Sequence, residues 1–317
     1  MIPAYNEEEG IEATIKKIPR KIEGADCVEV IVVDDGSTDR TVEIAKESGA
    51  DEIILHPINK GLGTSFRDGL KASLEKGADI LVTIDADGQF NPDDIPKLIE
   101  PILNSEADFV TTSRFLDKKL EPDMPKIKKF GNKLFTKIIN ILTNGEFTDT
   151  QCGFRAYSKK AALKLNLSGN FTYTQEVFID LVEKGLHVKE IPLKVKYGDI
   201  RDSRVVKNPI SYGIRALMII IKTIRDYEPL KFFGIPGVFV FITGFLGGSF
   251  MLIRYILTGR TTPFSSLIMF SELLMILGFL IIVLALIADM NDRQRKIQEE
   301  ILYYNKLKRY SKEDEKK

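Results

Sequence analysis

Tryptophan is absent from this 317-residue chain, and cysteine and histidine occur only twice each. Cys27 and Cys152 lie far apart, which excludes a disulfide framework or a cysteine-based zinc site. His56 and His187 leave no histidine cluster for a metal. Net charge is missing too: 45 Lys and Arg balance 45 Asp and Glu. A nucleic-acid binder would carry a basic domain. Here acids crowd the first part, and bases surround the hydrophobic C-terminal third. No signal peptide is expected, because Met1-Ile2-Pro3-Ala4-Tyr5-Asn6-Glu7 turns polar within a few positions. Ile2-Pro3 reads as the tail of a strand that ordinarily needs ~5–6 residues. A natural start upstream of Met1 is therefore expected, and the intact N-terminal mass tests it.

What is present is enough for one large domain or two: the chain is 44% hydrophobic and 28% charged, the balance of a folded protein. For two thirds of its length, strands and helices alternate. Residues 28–33, 53–55, 80–84 and 109–112 read as strands. Residues 8–18, 41–48, 64–76 and 95–103 carry apolar positions at helical spacing. Ser37, Thr38 or Asp39 can cap the helix from Thr41. This rhythm predicts an α/β fold, Rossmann-like, with a mostly parallel sheet covered on both faces. Later, a helix is expected from Ser158 and another over 173–184. Residues 188–195 form a strand that Pro192 places at an edge.

The most informative stretch is Leu81-Val82-Thr83-Ile84-Asp85-Ala86-Asp87-Gly88-Gln89. An apolar strand ends in two carboxylates one residue apart. Strand ends face the ligand crevice in an open α/β sheet. There, Asp85 and Asp87 can hold a hard divalent cation, Mg²⁺ or Mn²⁺, against a substrate diphosphate. The plain alternative is a strand end followed by a turn. Gly61-x-Gly63 suggests a dinucleotide site, but Phe66 stands where a third glycine is needed. A glycine loop beside a phosphate remains sensible, since backbone N–H groups can then approach oxygens closely.

From Leu120 the character changes. Lys126, Lys128, Lys129, Lys133 and Lys137 interleave with Ile127, Phe130, Leu134, Phe135, Ile138, Ile139, Ile141 and Leu142. This basic amphipathic helix suits either an anionic membrane surface or a solvated face. Residues 232–257 and 264–288 then form two apolar runs, each longer than the ~20 residues that span a bilayer. A short loop makes them a transmembrane hairpin, preceded by amphipathic juxtamembrane helices over 208–231. Basic residues flank the hairpin on the side away from the loop: Arg215, Lys222, Arg225 and Lys231 before it, Arg293, Arg295 and Lys296 after it. The positive-inside rule places the domain of residues 1–207 and the charged helical tail of residues 289–317 in the cytoplasm. Arg254 and Glu272 fall at similar depth and are expected to pair. Gly244 and Gly248 have the spacing of a close helix contact.

Taken together, Pro3-Ala4-Tyr5-Asn6-Glu7, Val33-Asp34-Asp35-Gly36-Ser37-Thr38-Asp39, Asn59-Lys60-Gly61-Leu62-Gly63, Asp85-Ala86-Asp87-Gly88-Gln89 and Ser113-Arg114-Phe115 resemble the family 2 glycosyltransferases of GT-A fold. Gln151-Cys152-Gly153-Phe154-Arg155 and Arg225-Asp226-Tyr227-Glu228-Pro229-Leu230 extend the resemblance to the polyprenyl-phosphate members, such as dolichyl-phosphate mannose synthase and undecaprenyl-phosphate glucosyltransferase. The resemblance implies a nucleotide pocket of Pro3, Tyr5, Glu7, Asp35, Lys60 and Gly61, with Asp35 reading the base edge. Asp85 would sit by the ribose and diphosphate, Asp87 would ligate the metal, and Gln89 would lie nearby. Arg114, Lys128, Arg201 and Arg204, with Ser203, would face phosphates of donor or lipid. Two departures stand out. Arg201-Asp202-Ser203-Arg204 lacks the family's Gly. Lys128 stands where Arg is frequent, and Lys cannot form a bidentate fork.

The implied reaction moves a hexose from GDP-mannose, UDP-glucose or UDP-N-acetylglucosamine to a polyprenyl phosphate. An acceptor phosphate with a second pKa of about 6 arrives already ionised, so no general base is required. Asp149 and Glu176 are the candidates should a base be used; orienting arginine side chains is the role expected of them. A single displacement inverts the anomeric carbon. Two rivals are a processive glycan synthase, whose Gln-x-x-Arg-Trp motif is missing here with tryptophan itself, and a non-enzymatic membrane scaffold. Homo-oligomer formation through the hairpin is a further expectation.

Overall fold

The structure is a computed structural model; it describes residues 1–167, 174–196, 221, 225 and 228–314, apart from the side chains of 126, 127, 175 and 311–314. Arg201, Ser203, Arg204 and most of the juxtamembrane segment lie outside the described residues. The chain divides into two compact units, Met1–Asp202 with Leu302–Lys317, and Ser203–Ile301.

The first unit is built on parallel strands. β1 (Ile2–Ala4) pairs with β2 (Ile31–Asp34), and β2 with β3 (Glu52–Leu55), all parallel. β2 is wholly buried, as its β-branched run requires. It starts later than Val28 because its partner β3 begins only at Glu52, opposite Ile31. A second group runs in the order β4 (Ile80–Thr83), β6 (Arg155–Ser158), β5 (Phe109–Ser113), β7 (Val188–Pro192). β6 is antiparallel to both of its neighbours, whereas β7 lies parallel to β5 at the edge. Met1 joins the groups: its nitrogen donates to Val82 O at 2.8 Å, and Ile84 N donates to Met1 O at 3.2 Å. β1 thus lies alongside β4, and the ends of β1, β2 and β4 come together.

Helices α1 (Ile11–Lys17), α2 (Thr41–Glu47), α3 (Leu62–Glu75) and α4 (Ile95–Leu103) follow the strands. Each buries one stripe. Phe66, Leu70 and Leu74 on α3 recur every four residues and are all buried. α5 (Lys126–Thr143), α6 (Lys159–Lys164) and α7 (Thr174–Glu183) complete the unit. The helix expected from Ser158 therefore starts one residue later, and Ser158 caps it by accepting from Ala161 N. β6, directly before it, was not expected.

The second unit holds α8 (Pro229–Thr258) and most of α9 (Ser265–Asp314), both long and apolar enough to cross a membrane. The expected Arg254–Glu272 pair does not form. Arg254 donates to Thr262 O at 3.0 Å, and its guanidinium lies 4.9 Å from the Phe264 ring centre. It stands one turn from the end of α8, so its long side chain reaches the loop more readily than the neighbouring helix. The glycine contact is also different. A methyl group on Gly244 would stand 2.7 Å from Ser271 O and Met275 N, but one on Gly248 meets nothing closer than 4.0 Å. Further close approaches come from Gly247, where a methyl group would stand 2.4 Å from Ser271 Oγ, and from Gly278 on α9, which faces Phe241 N at 2.4 Å by the same measure. The last turns of α9 belong with the first unit: Lys306 donates to Leu165 O at 2.8 Å and Asn166 Oδ1 at 2.9 Å.

Candidate active site

Two loops at the ends of β1 and β2 are stitched into one surface. Asn6 N donates to Ser37 Oγ at 2.9 Å, Thr38 N to Asn6 Oδ1 at 2.8 Å, and Glu7 N to Thr41 Oγ1 at 2.8 Å. Asn6 adopts a left-handed backbone (φ 54°), which asparagine tolerates better than most residues. Of the proposed caps, Asp39 bonds the start of α2, accepting from Thr41 N at 3.0 Å. Beside this surface, Asp35 organises the glycine loop. Its Oδ1 accepts from Lys60 N at 2.9 Å and its Oδ2 from Gly61 N at 2.8 Å. His56 Nδ1 contacts Asp35 Oδ1 at 2.8 Å, and His56 Nε2 contacts Asp68 Oδ2 at 2.9 Å. His56 belongs to none of the sequence motifs, yet it stands beside Asp35. The β2–β3 register supplied the missing signal: Asp34 pairs with Leu55, so the next residues, Asp35 and His56, leave the sheet together.

Asp85 and Asp87 follow β4. Ala86 between them is buried, and its carbonyl accepts from Thr14 Oγ1 at 3.3 Å, which fixes the peptide that carries both acids. Asp87 is exposed, and its Oδ1 accepts from Gln89 N at 3.0 Å. Asp85 has no hydrogen bond or ion pair from any described residue. Its pKa is raised from 3.8 to about 7, first by burial, then by the negative charge of Asp87, with Glu7 adding to it and Arg155 and Arg114 opposing it. Although its side chain keeps contact with solvent, the Asp87 carboxyl is raised as well, chiefly because the protein atoms crowded around it displace part of its hydration. Gly153, just before β6, lies against Asp85: a methyl group there would stand 2.5 Å from Asp85 Oδ2. Only glycine leaves the carboxylate this space.

Arg114 stands at the end of β5. Asp149 holds it bidentately, Nε to Oδ2 at 2.6 Å and a terminal nitrogen to Oδ1 at 2.9 Å, with Asp149 fully buried. Glu190 on β7 fixes the loop behind it, accepting from Thr148 N at 2.8 Å and Asp149 N at 2.9 Å. Burial raises the Glu190 carboxyl above its ordinary range. Arg155, fully buried at the start of β6, donates to Thr150 O at 2.9 Å and lies 5.0 Å from the Phe178 ring centre.

Glu7, Asp85, Asp87, Gln89 and Arg114 therefore form one group, and Asp35, Lys60 and Gly61 form a second, joined through the Asn6–Thr41 stitching. Pro3 is buried inside β1, paired with Val33, whereas Tyr5 is exposed at its end. Lys128 sits in the first turn of α5, and its side chain makes no ion pair or hydrogen bond among the described residues. His56, Gly153 and Arg155 are the site's neighbours that sequence reasoning left without a role. Among the described residues, no three His, Cys, Asp or Glu side chains cluster to enclose a metal. Two carboxylates, one free of protein donors, fit a hard divalent ion that completes its shell with phosphate oxygens and water.

Residues 1–165 match the profile of Glycosyl transferase family 2. The chain belongs to that family. It is a glycosyltransferase, and by its relatives it falls among the polyprenyl-phosphate members. It is 35% identical over 70% of its length to the UDP-N-acetylglucosamine–dolichyl-phosphate N-acetylglucosaminyltransferase of Methanococcus voltae, covering 94% of that protein. It is 34% identical over 68% of its length to the dolichol-phosphate mannosyltransferase of Pyrococcus furiosus, covering 56% of that one. In fold it is similar to glucosyl-3-phosphoglycerate synthase from Mycobacterium tuberculosis, solved with Mn²⁺, uridine diphosphate and phosphoglyceric acid, with a TM-score of 0.55, 22% identity, and coverage of 70% of this chain and 75% of that one. The GT-A fold is thereby shown.

Proposed function

We propose that this glycosyltransferase moves one hexose from a nucleotide sugar to a polyprenyl phosphate at a membrane, with inversion at the anomeric carbon. The observation that carries this reading is the unspent Asp85 carboxylate at the end of β4, next to Asp87 and flanked by the stitched β1 and β2 loops. The names of the relatives support a dolichyl or undecaprenyl phosphate acceptor. GDP-mannose, UDP-glucose and UDP-N-acetylglucosamine are the donor candidates.

Asp85 and Asp87, with Gln89 beside them, would hold Mg²⁺ or Mn²⁺, which supplies Lewis-acid stabilisation of the departing diphosphate. The solved neighbour with Mn²⁺ supports this choice. Pro3, Tyr5, Glu7, Asp35, Lys60 and Gly61 bind the nucleotide. Arg114, oriented by Asp149, meets phosphate oxygens of donor or acceptor. Lys128 and, outside the described residues, Arg201, Ser203 and Arg204 meet the lipid phosphate. The acceptor is ionised near neutral pH and attacks without a general base. His56 is not available as one, because both of its ring nitrogens are engaged by carboxylates. The hairpin of α8 and α9 anchors the enzyme, with the catalytic unit and the tail in the cytoplasm by the positive-inside rule.

The test is incubation of the full chain with radiolabelled GDP- and UDP-sugars, Mg²⁺ or Mn²⁺, and a polyprenyl phosphate. A lipid-soluble monosaccharide product is expected. A polymer would mean a processive synthase, and no product a scaffold. An α-linked product by NMR would overturn inversion. Thermal-shift screening with GDP- and UDP-sugars identifies the donor.

A further inference from the structure

Asp35 is buried just past the end of β2, and most of its carboxylate is used inside the protein. A carboxylate offers about four lone-pair sites, two on each oxygen. Oδ1 accepts from Lys60 N at 2.9 Å and lies 2.8 Å from His56 Nδ1, while Oδ2 accepts from Gly61 N at 2.8 Å. An ionised carboxylate only accepts, so Nδ1 carries the proton in its contact. Oδ1 is thereby filled, and a single acceptor site on Oδ2 is left without a partner among the described residues. Two of the three donors are backbone amides. His56 is the one side chain whose replacement changes the count.

The imidazole is held firmly in this role. Its side chain is 3% exposed, and Nε2 lies 2.9 Å from Asp68 Oδ2, so the ring is gripped at both ends. The strand register delivers Asp35 and His56 side by side, and Asp68 comes from α3, the helix that the glycine loop opens. We propose that His56 sets the base of the donor: it limits Asp35 to one free acceptor, which fits a uridine nucleotide and rejects a guanosine one. Uracil presents a single N–H, at N3, between two carbonyl oxygens. Guanine presents two adjacent N–H groups, at N1 and on its exocyclic amine, which pair with a carboxylate through both oxygens. Here the second of them meets the filled Oδ1 and stays unpaired. An unpaired donor in a buried contact costs ~10-fold or more in affinity. His56 acts through Asp35 and is a positioning residue. This rests on the place of Asp35 in the nucleotide pocket of the function proposed above, and it narrows the donor candidates to the two UDP-sugars.

Equilibrium dialysis of the full chain in detergent, with Mn²⁺ and labelled UDP or GDP, tests the assignment. The wild type should bind UDP at least ~10-fold more tightly than GDP. His56→Leu frees a site on Oδ1, so the UDP-to-GDP preference should fall by ~10-fold. His56→Asn, whose amide can still donate to Asp35, should keep the wild-type preference, which separates a lost hydrogen bond from a loosened fold. Should His56→Leu not fold, Asp68→Ala, at an exposed position, releases the other end of the ring and should lower the preference in the same direction. A wild-type preference for GDP would overturn the proposal, and so would a preference unchanged in His56→Leu or, in its place, in Asp68→Ala. Binding of neither nucleotide, or an Asp35→Ala variant that binds UDP as tightly as the wild type, would overturn the nucleotide pocket itself and the proposal with it.

Discussion

Four carboxylates mark the ligand side of the catalytic unit, and they form two contrasting pairs. Asp35 and Asp149 have both oxygens occupied by protein donors: backbone N–H groups of Lys60 and Gly61 for the first, the Arg114 guanidinium for the second. Asp85 and Asp87 sit at a strand end just as acidic, yet Asp85 receives no donor from a described residue, and Asp87 accepts from the backbone of its own turn. The first pair spends its charge on holding loops in place. The second keeps lone pairs for something the chain does not itself provide. Acidic residues at a strand end therefore do not identify a ligand site by themselves; unspent acceptors do.

The largest test breaks the first pair. Asp149→Ala leaves Arg114, 8% exposed, without its bidentate partner. Removing one member of a buried ion pair costs ~3–5 kcal/mol, so chemical denaturation should show a loss of that order. A loss below ~1 kcal/mol, the scale of an exposed ion pair, would show that the pair is not structural. Asp87→Ala should behave in the opposite way. The side chain is exposed, so stability should move by no more than ~0.5 kcal/mol. Transfer should fall by ~10²–10³ or more, the cost of losing one charge-stabilising group. Full activity in this variant would refute the metal assignment.

The same contrast explains what was legible in the sequence. The strand ends bearing Asp34, Asp35, Asp85 and Asp87 lie in continuous apolar runs, and helix Ile95–Leu103 is found at the bounds its periodicity predicts. β6 was invisible because Arg155-Ala156-Tyr157-Ser158 has neither an apolar run nor clean alternation. Its strand conformation comes from β4 and β5, remote in sequence, which clasp it from both sides. With β6 went the roles of Gly153 and Arg155, since both depend on lying next to Asp85. The hairpin was legible by length and composition, but its contacts were not. Arg254 chose a loop carbonyl over Glu272, a choice set by reach rather than by charge.

Gly153 is the point at which the segment leading into β6 meets Asp85. Gly153→Ala places a methyl group 2.5 Å from Asp85 Oδ2, so the carboxylate or the strand must move. Overpacking of this kind costs ~1–3 kcal/mol. Because the clash is with Asp85 itself, the expected signature is a raised metal requirement for transfer, measured by Mn²⁺ titration, beyond any loss in melting temperature. A variant that loses stability but keeps the wild-type Mn²⁺ dependence would show that Asp85 is not positioned by this contact.

The smallest effect is the most specific to an unspent carboxylate. With its folded pKa raised to about 7, Asp85 keeps a proton that the unfolded chain loses near its ordinary value of 3.8. Between those values the native state binds more protons than the unfolded one, so stability falls as pH rises, and the full penalty applies above pH ~7. Asp85→Asn removes that penalty. Without divalent metal, the variant should gain less over the wild type at pH ~5 than at pH ~8, because at pH ~5 the unfolded chain is ionised but only the first part of the penalty has set in. At pH ~8 it should melt at least ~2–4 °C higher, the shift that even ~1 kcal/mol of that penalty gives a unit of this size. Added Mn²⁺ should reverse the order, because a bound cation offsets the charge only where a carboxylate is present to hold it. If Asp85→Asn were instead destabilising at pH ~8 without metal, Asp85 would have a protein partner after all, and would belong with Asp35 and Asp149.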